Sequence, residues 1–262
     1  MKYLLTVAIG LIVLTGLTDG RPQTTSQADH KTTPVLVELF TSEGCSSCPP
    51  ADDFLARLNR EQPLPGVTVI GIEEHVDYWN HDGWIDPYSS PEWTSRQVDY
   101  VEHFKDANPY TPQCVIDGQQ SFVGTHAQQI VEAIRQNARQ PQPEMAVTLE
   151  TPADGALKVH VRVGKLSPAP NDSVDIWLAL AEKNVASSVD RGENAGKELR
   201  HSVVLRSLKK LGVAHGSGDA AFEGSAELKL NRQWKSENVE AIVFAQERKS
   251  KRILGVALAG SA

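Results

Sequence analysis

"FTSEGCSSCPPADDFLARL", residues 40–58, sets two cysteines, two adjacent prolines and an amphipathic run side by side. Pro49 and Pro50 fit only the first turn of a helix, where a missing N–H is no loss. Beyond them Ala51, Leu55 and Leu58, with Phe54 alongside, repeat at i, i+4 and i+7, which is one face of a helix. Ahead of the motif, "PVLVELF" (34–40) is a strongly apolar strand bounded by "TSEG". Cys45 and Cys48 therefore fall where a buried strand hands over to a helix. Their spacing suits a metal site, a structural staple or a redox couple.

Outward from the motif, "VTVIGI" (67–72) is a second continuous apolar strand, and "HVDYWNHDGWIDPYSS" (75–90) is a long loop rich in aromatics. "SPEWTSRQVDYVEHF" (90–104) opens with Ser, Pro and Glu in the order that starts a helix. "QCVID" and "QSFVG" flank Asp117–Gly118, a hairpin signal. "THAQQIVEAIRQNARQ" (125–140) follows as a helix with Ile130, Val131 and Ile134 facing inward. After "PQPE" (141–144) the chain alternates polar and apolar residues at strand lengths, with turns marked by Pro, Gly, Asn and Asp. That texture predicts an all-β sandwich over 144–262; "ELRHSVVLRSLKKLG" (198–212) reads equally as strand or short helix.

The chain has 262 residues, 40% hydrophobic, and a formal net charge of −7. It is long enough for one large domain or two modest ones. Mild acidity excludes the basic stripe that a nucleic-acid grip needs. Lys2 precedes an apolar stretch from Tyr3 to Leu17, short for a membrane span, which needs about 20 residues, and normal for a signal-peptide core. Residues 1–20 are expected to be a secretory signal, the alternative being an uncleaved anchor, and 21–33 a polar linker. The mature protein is thus expected to be secreted or periplasmic, without a membrane span. In an oxidising compartment structural cysteines close long loops. A bridge between Cys45 and Cys48 closes almost nothing, so a staple is the weakest explanation of the pair.

"GCSSCPP" at the first strand–helix junction and "YTPQCVIDGQQSFVG" at 110–124 resemble the thioredoxin fold over residues 34–140, with an inserted loop and helix at about 75–105. More specifically, "ELFTSEGCSSCPPAD", "HVDYW", "GWIDPYSSPEWTSRQ", "YTPQ" and "RGENAGKELRHSVVLRSL" (191–208) resemble an exported thioredoxin-like family, domain of unknown function 1223. The fold implied is an α/β thioredoxin-like domain followed by an all-β sandwich domain. The activity implied is thiol–disulfide exchange with protein thiols or disulfides, without a cofactor or metal. By this resemblance Cys45, just ahead of the helix, is the nucleophile, its pKa lowered by the helix N-terminus into a range of about 3.5–7.5. Cys48 is the resolving cysteine. Pro112 matches a cis-proline facing the pair, with Thr111 aimed at an incoming peptide. Glu38 matches, with a one-residue shift, a buried proton acceptor for the inner cysteine; the alternative is an edge-facing glutamate.

Gly44 stands where thioredoxin has Trp, and Ser46–Ser47 matches neither the reducing nor the oxidising dipeptide, so the direction of electron flow stays open. Cys114 reads as a small core hydrophobe or a reactive thiol. Trp79, in the aromatic loop, is a candidate substrate wall; the alternative is a loop that packs its own tryptophans. "VDRGENAGKELRH" (189–201) reads as a solvated, charge-paired connector. Two other functions compete. One is a copper-binding or metallochaperone module completed by His75 or His81; the other is a non-catalytic adaptor. A zinc site would want a second C-x-x-C or a paired-His motif, and neither is present.

Overall fold

The computed structural model describes residues 32–150, 156–170, 172–215 and 219–259. The signal assigned to 1–20, and the linker up to residue 31, lie outside them. Strands β1 (Thr33–Thr41) and β2 (Val67–His75) run parallel, in register from Thr33↔Val67 to Thr41↔His75. Both read as near-continuous apolar runs because both of their faces are covered. Between them in sequence lies α1 (Pro49–Glu61). After β2 comes a 3₁₀ turn, Tyr78–Asp82, and then α2 (Pro91–Phe104), started by Ser90, whose side chain accepts from the Glu92 amide. β3 (Gln113–Ile116) pairs antiparallel with β1 and turns through Asp117–Gly118 into β4 (Gln120–Val123). α3 (Ala127–Asn137) closes this half.

Alternation along β1 sorts its side chains between the two faces. Val35, Val37 and Leu39 pack with Ala51, Leu55 and Leu58 of α1 and with Ile130, Ala133 and Ile134 of α3. Leu36 packs with Trp93, and Phe40 with Tyr100, both from α2. Where α1 crosses β2, a Cβ on Gly71 would lie 2.5 Å from Leu55 Cδ1. Only glycine admits the helix that close.

The second half is β5 (Met145–Glu150), β6 (Ala156–Gly164), β7 (Val174–Ser188), β8 (Glu198–Ala214), β9 (Ala220–Lys229), β10 (Val239–Glu247) and β11 (Ile253–Leu258). Here the expected fold class is overturned. The chain is not an α/β thioredoxin-like domain followed by a β-sandwich. β8 joins β2 in parallel at Glu73↔Val204, and one mixed eight-stranded sheet runs β11-β10-β7-β8-β2-β1-β3-β4 through both halves. A three-stranded sheet, β5-β6-β9, covers part of it, with Val159 and Val161 packed among Ile176, Leu178 and Val243. Strand dominates, with three α-helices among the described residues.

The physical reason is the outer edge of β2. A buried strand edge with unpaired N–H and C=O groups is costly, so it must find partners. α1 supplies some. Gln62 bonds both the amide and the carbonyl of Val69, at 2.7 and 2.9 Å, and Asn59 does the same for Gly71, at 2.8 and 3.0 Å. β8 takes over from Glu73, which settles "ELRHSVVLRSLKKLG" as strand. Among the described residues no helix is long and apolar enough to cross a membrane.

Candidate functional site

Cys45 and Cys48 form a disulfide in the turn that enters α1, and both residues are 0% exposed. The turn is held from within: Cys45 N–H donates to Ser42 O at 3.1 Å and Cys48 N–H to Cys45 O at 3.2 Å. Cys48 is the N-cap, with Pro49 and Pro50 behind it. The two prolines bring no N–H, and the amides of Ala51 and Asp52 both donate to Cys48 O, at 2.8 and 3.1 Å. The Ser46 amide donates to the Glu193 carboxylate at 3.0 Å. In this closed state a carboxylate from a distant loop holds an amide ahead of the helix, and its hydrogen bonds from Ser46 draw the Glu193 pKa down.

That loop, residues 189–197 at the tip of the β7–β8 hairpin, is solvated over most of its length, yet it is also tied to the cysteine turn. Asn194 is fully buried and its Nδ2 donates to two carbonyls, Glu43 O at 2.8 Å and Cys45 O at 2.9 Å. Lys197 Nζ steadies the Asn194 amide oxygen at 2.9 Å. A second wall comes from the 3₁₀ turn. A Cβ on Gly44 would lie 3.1 Å from Trp79 Cβ, so the residue before Cys45 must be small to admit the tryptophan. Trp79 Nε1 donates to Thr111 Oγ1 at 2.8 Å. The Thr111–Pro112 peptide is cis. A Cβ on Gly124 would meet both Pro112 Cβ at 2.9 Å and Ala51 Cβ at 3.0 Å, which puts the proline beside the first turn of α1. Cys45, Cys48, Trp79, Thr111 and Pro112 are thus gathered at one end of the sheet.

Glu38 is placed elsewhere. It is buried on the α2 face of β1, where its carboxylate accepts from Arg96 Nε at 2.6 Å and Tyr100 Oη at 2.7 Å. On that face Glu38 is the ion-pair partner of Arg96. Asp52 is the buried acid on the motif side, at i+4 from Cys48 and so on the same side of the helix. It accepts from Thr41 Oγ1 at 2.7 Å. Burial pushes its carboxyl up to about 7, with the Glu73 charge adding to the effect. Cys114 is a core residue on β3, and burial raises its thiol pKa.

Beside the motif lies a buried polar cluster; sequence reasoning named His75 as a metal-ligand candidate but did not bring it together with Glu43, Glu73, Asp86 and His201. His75 Nδ1 is 2.7 Å from Asp86 Oδ2, which also accepts from the Glu43 amide at 2.8 Å. His201 Nε2 is 3.1 Å from Glu43 Oε1, an oxygen that Ser187 also bonds, and Trp84 Nε1 donates to Glu43 Oε2 at 2.8 Å. Glu73 Oε1 accepts from the Ser202 amide at 3.0 Å and its hydroxyl at 2.9 Å. Burial works against charge on both His75 and Glu73. The Asp86 charge outweighs it for His75, lifting the imidazole to about 9; the adjacent His201 and His75 imidazoles outweigh it for Glu73, drawing the carboxyl down. The one local signal was "EEH" (73–75), three polar residues ending a buried strand. His75 thus turns toward carboxylates, and His81 is exposed in the 3₁₀ turn.

Residues 36–246 match the family described as "Protein of unknown function (DUF1223)". Comparison with curated proteins finds no match. Among solved structures, a crystal structure of a protein from Agrobacterium tumefaciens is similar at a TM-score of 0.63 and 24% identity, over 87% of this chain and 94% of that one. HBP35 of Porphyromonas gingivalis is similar at a TM-score of 0.63 and 12% identity, over 87% of this chain and 74% of that one. At these identities the likeness speaks for the fold alone.

Proposed function

The chain belongs to the DUF1223 family, and we propose that it is a thiol–disulfide exchange protein acting on protein thiols outside the cytoplasm, with Cys45 and Cys48 as its redox couple. One observation carries the reading: a disulfide that spans two residues, at a strand–helix turn, under the tip of the β7–β8 hairpin. Such a bridge restrains almost no chain entropy, so stability does not account for it. Export is supported by Lys2 and the apolar stretch behind it.

In the oxidised protein the hairpin tip lifts, and a substrate thiolate attacks Cys45 Sγ. The Cys45–Cys48 bond breaks, a mixed disulfide forms, and Cys48 leaves as a thiolate that takes a proton from the Asp52 carboxyl. A second substrate thiolate then attacks the substrate sulfur of the mixed disulfide, and Cys45 leaves. The substrate has lost two electrons as a new disulfide, and the cysteine pair has gained them. Run backward, the same steps reduce a substrate disulfide. Trp79 and Thr111 form the wall against which the substrate chain lies.

Equilibration of the purified protein with glutathione buffers tests the reading. A reversible Cys45–Cys48 couple is expected, and Cys48→Ser is expected to hold protein partners as mixed disulfides. A pair that never equilibrates, or a Cys48→Ser variant that captures nothing while remaining folded, overturns it.

A further inference from the structure

Three polar atoms in the buried cluster have no hydrogen-bond partner: Glu73 Oε2, His75 Nε2 and His201 Nδ1. Their side chains are 0%, 0% and 1% exposed. Glu73 Oε2 lies 3.0 Å from His201 Nδ1 and 3.9 Å from His75 Nε2, and all three atoms fall within 4.8 Å of one another. Glu73 Oε2 and His201 Nδ1 satisfy each other only with a proton or a cation between them, and His75 Nε2, 3.9 Å away, is buried without a hydrogen-bond partner, which is costly.

The far atom of each side chain is already engaged. His75 Nδ1 faces the Asp86 carboxylate and His201 Nε2 the Glu43 carboxylate, so each of those nitrogens carries the proton. A bound cation would take the place of the protons on the other two ring nitrogens, His75 Nε2 and His201 Nδ1, which lie 3.9 and 3.0 Å from Glu73 Oε2. Glu73 Oε1 is pinned by Ser202. Carboxylate-backed imidazoles and a hydrogen-bonded carboxylate are what orients ligands around a metal. A first-row cation holds nitrogen and oxygen donors at about 2.0–2.2 Å, so its ligands sit about 3.3 Å apart around a tetrahedral centre. The observed separations of 3.0 and 3.9 Å bracket that spacing.

We propose that Glu73, His75 and His201 form a mononuclear site for zinc or a like borderline divalent cation. The site uses neither cysteine, so it stands apart from the redox couple. Two imidazoles and one carboxylate disfavour magnesium and calcium, which want oxygen ligands, and the lack of sulfur disfavours copper(I). The charge also fits. Glu43, Glu73 and Asp86 bring three carboxylates into one buried volume, where a divalent cation would replace the two protons that the histidines otherwise carry, at no change in net charge. A cleft of about 450 Å³, lined by Asp52, Lys197 and His201 among others, lies on the His201 side of the cluster.

The full chain, with its disulfide intact and stripped by a chelator, is titrated with zinc chloride. One zinc per chain is expected, at a Kd below ~1 μM, undisturbed by excess magnesium and with an X-ray absorption spectrum of nitrogen and oxygen neighbours only. Cys45→Ser/Cys48→Ser is expected to bind equally well. Asp86→Asn is expected to weaken binding about 10- to 100-fold, and Glu73→Gln by about 100-fold or more. Absence of binding at micromolar zinc, sulfur in the coordination shell, or a folded Glu73→Gln that binds like wild type overturns the proposal. Should Glu73→Gln not fold, the wild-type stoichiometry and spectrum decide.

Discussion

Replacing Asn194 by alanine is expected to speed reduction of the Cys45–Cys48 disulfide. Asn194 Nδ2 donates to two buried carbonyls, Glu43 O at 2.8 Å and Cys45 O at 2.9 Å. A buried acceptor left without its donor costs about 1–3 kcal/mol. Losing both, with some recovery from water entering the vacated space, weakens the closed tip by about 2–3 kcal/mol. At 1.36 kcal/mol per tenfold, the open fraction rises about 30- to 150-fold. Both cysteines are 0% exposed, so a reductant reaches them only after opening. When opening and closing are fast, the observed rate follows the open population. The measurement is the rate of reduction by excess dithiothreitol, read by quenching with an alkylating reagent and weighing the protein. Urea unfolding of the same sample shows that the variant is folded. A folded variant reduced within threefold of the wild-type rate refutes the idea that this tip guards the pair.

Asp117 accepts the Leu36 amide at 2.8 Å, and burial pushes its carboxyl up to about 8. An acid held protonated by the fold contributes fully below its unfolded pKa of about 3.9, and that contribution is lost as pH rises toward 8. Asp117→Asn keeps the acceptor and tolerates the φ of 44°. It is expected to match wild type near pH 4 and exceed it at pH 8 by on the order of 2 kcal/mol in urea unfolding; a difference independent of pH would contradict the sign. Arg96→Met strands the Glu38 carboxylate in the α2 face and should destabilise the protein by about 3–5 kcal/mol. Adding Glu38→Gln should recover part of that loss, and no recovery would show that the ion pair is not what matters. Gly71→Ala drives a Cβ to 2.5 Å from Leu55 Cδ1 and 2.8 Å from Asn59 Oδ1. A loss of about 1–3 kcal/mol is expected, and a neutral result in thermal melts would show that α1 can slide.

The legible parts are those whose cause is local. Ser90–Pro91 starts α2 because a hydroxyl cap and a fixed φ act within one turn. Asp117–Gly118 turns the β3–β4 hairpin because both residues take positive φ, which few others do. The strand–helix junction at Cys45–Cys48 was read from prolines adjacent to it, and the alternation of the second half located its strands. Asn194 was not legible as part of the site, because nothing near it distinguishes a buried cap from a solvated turn. The partners of Glu38 were hidden for a related reason. Its distance from the cysteines along the chain was known, but the face of β1 it occupies depends on which residues pack there.

From its own order of residues this chain determined where most helices and strands begin and that two cysteines meet at a helix start. Those outcomes follow from interactions a few bonds long. Only the tertiary structure decided that β8 pairs with β2 and makes one sheet of both halves, because an open strand edge accepts any compatible partner wherever it lies in the chain. It also decided that His201 meets Glu43 across 158 positions and that Asn194 closes over Cys45 across 149. Contacts of that separation leave no mark on the residues beside them, since their energy comes from burial and partners that exist only once the chain has folded.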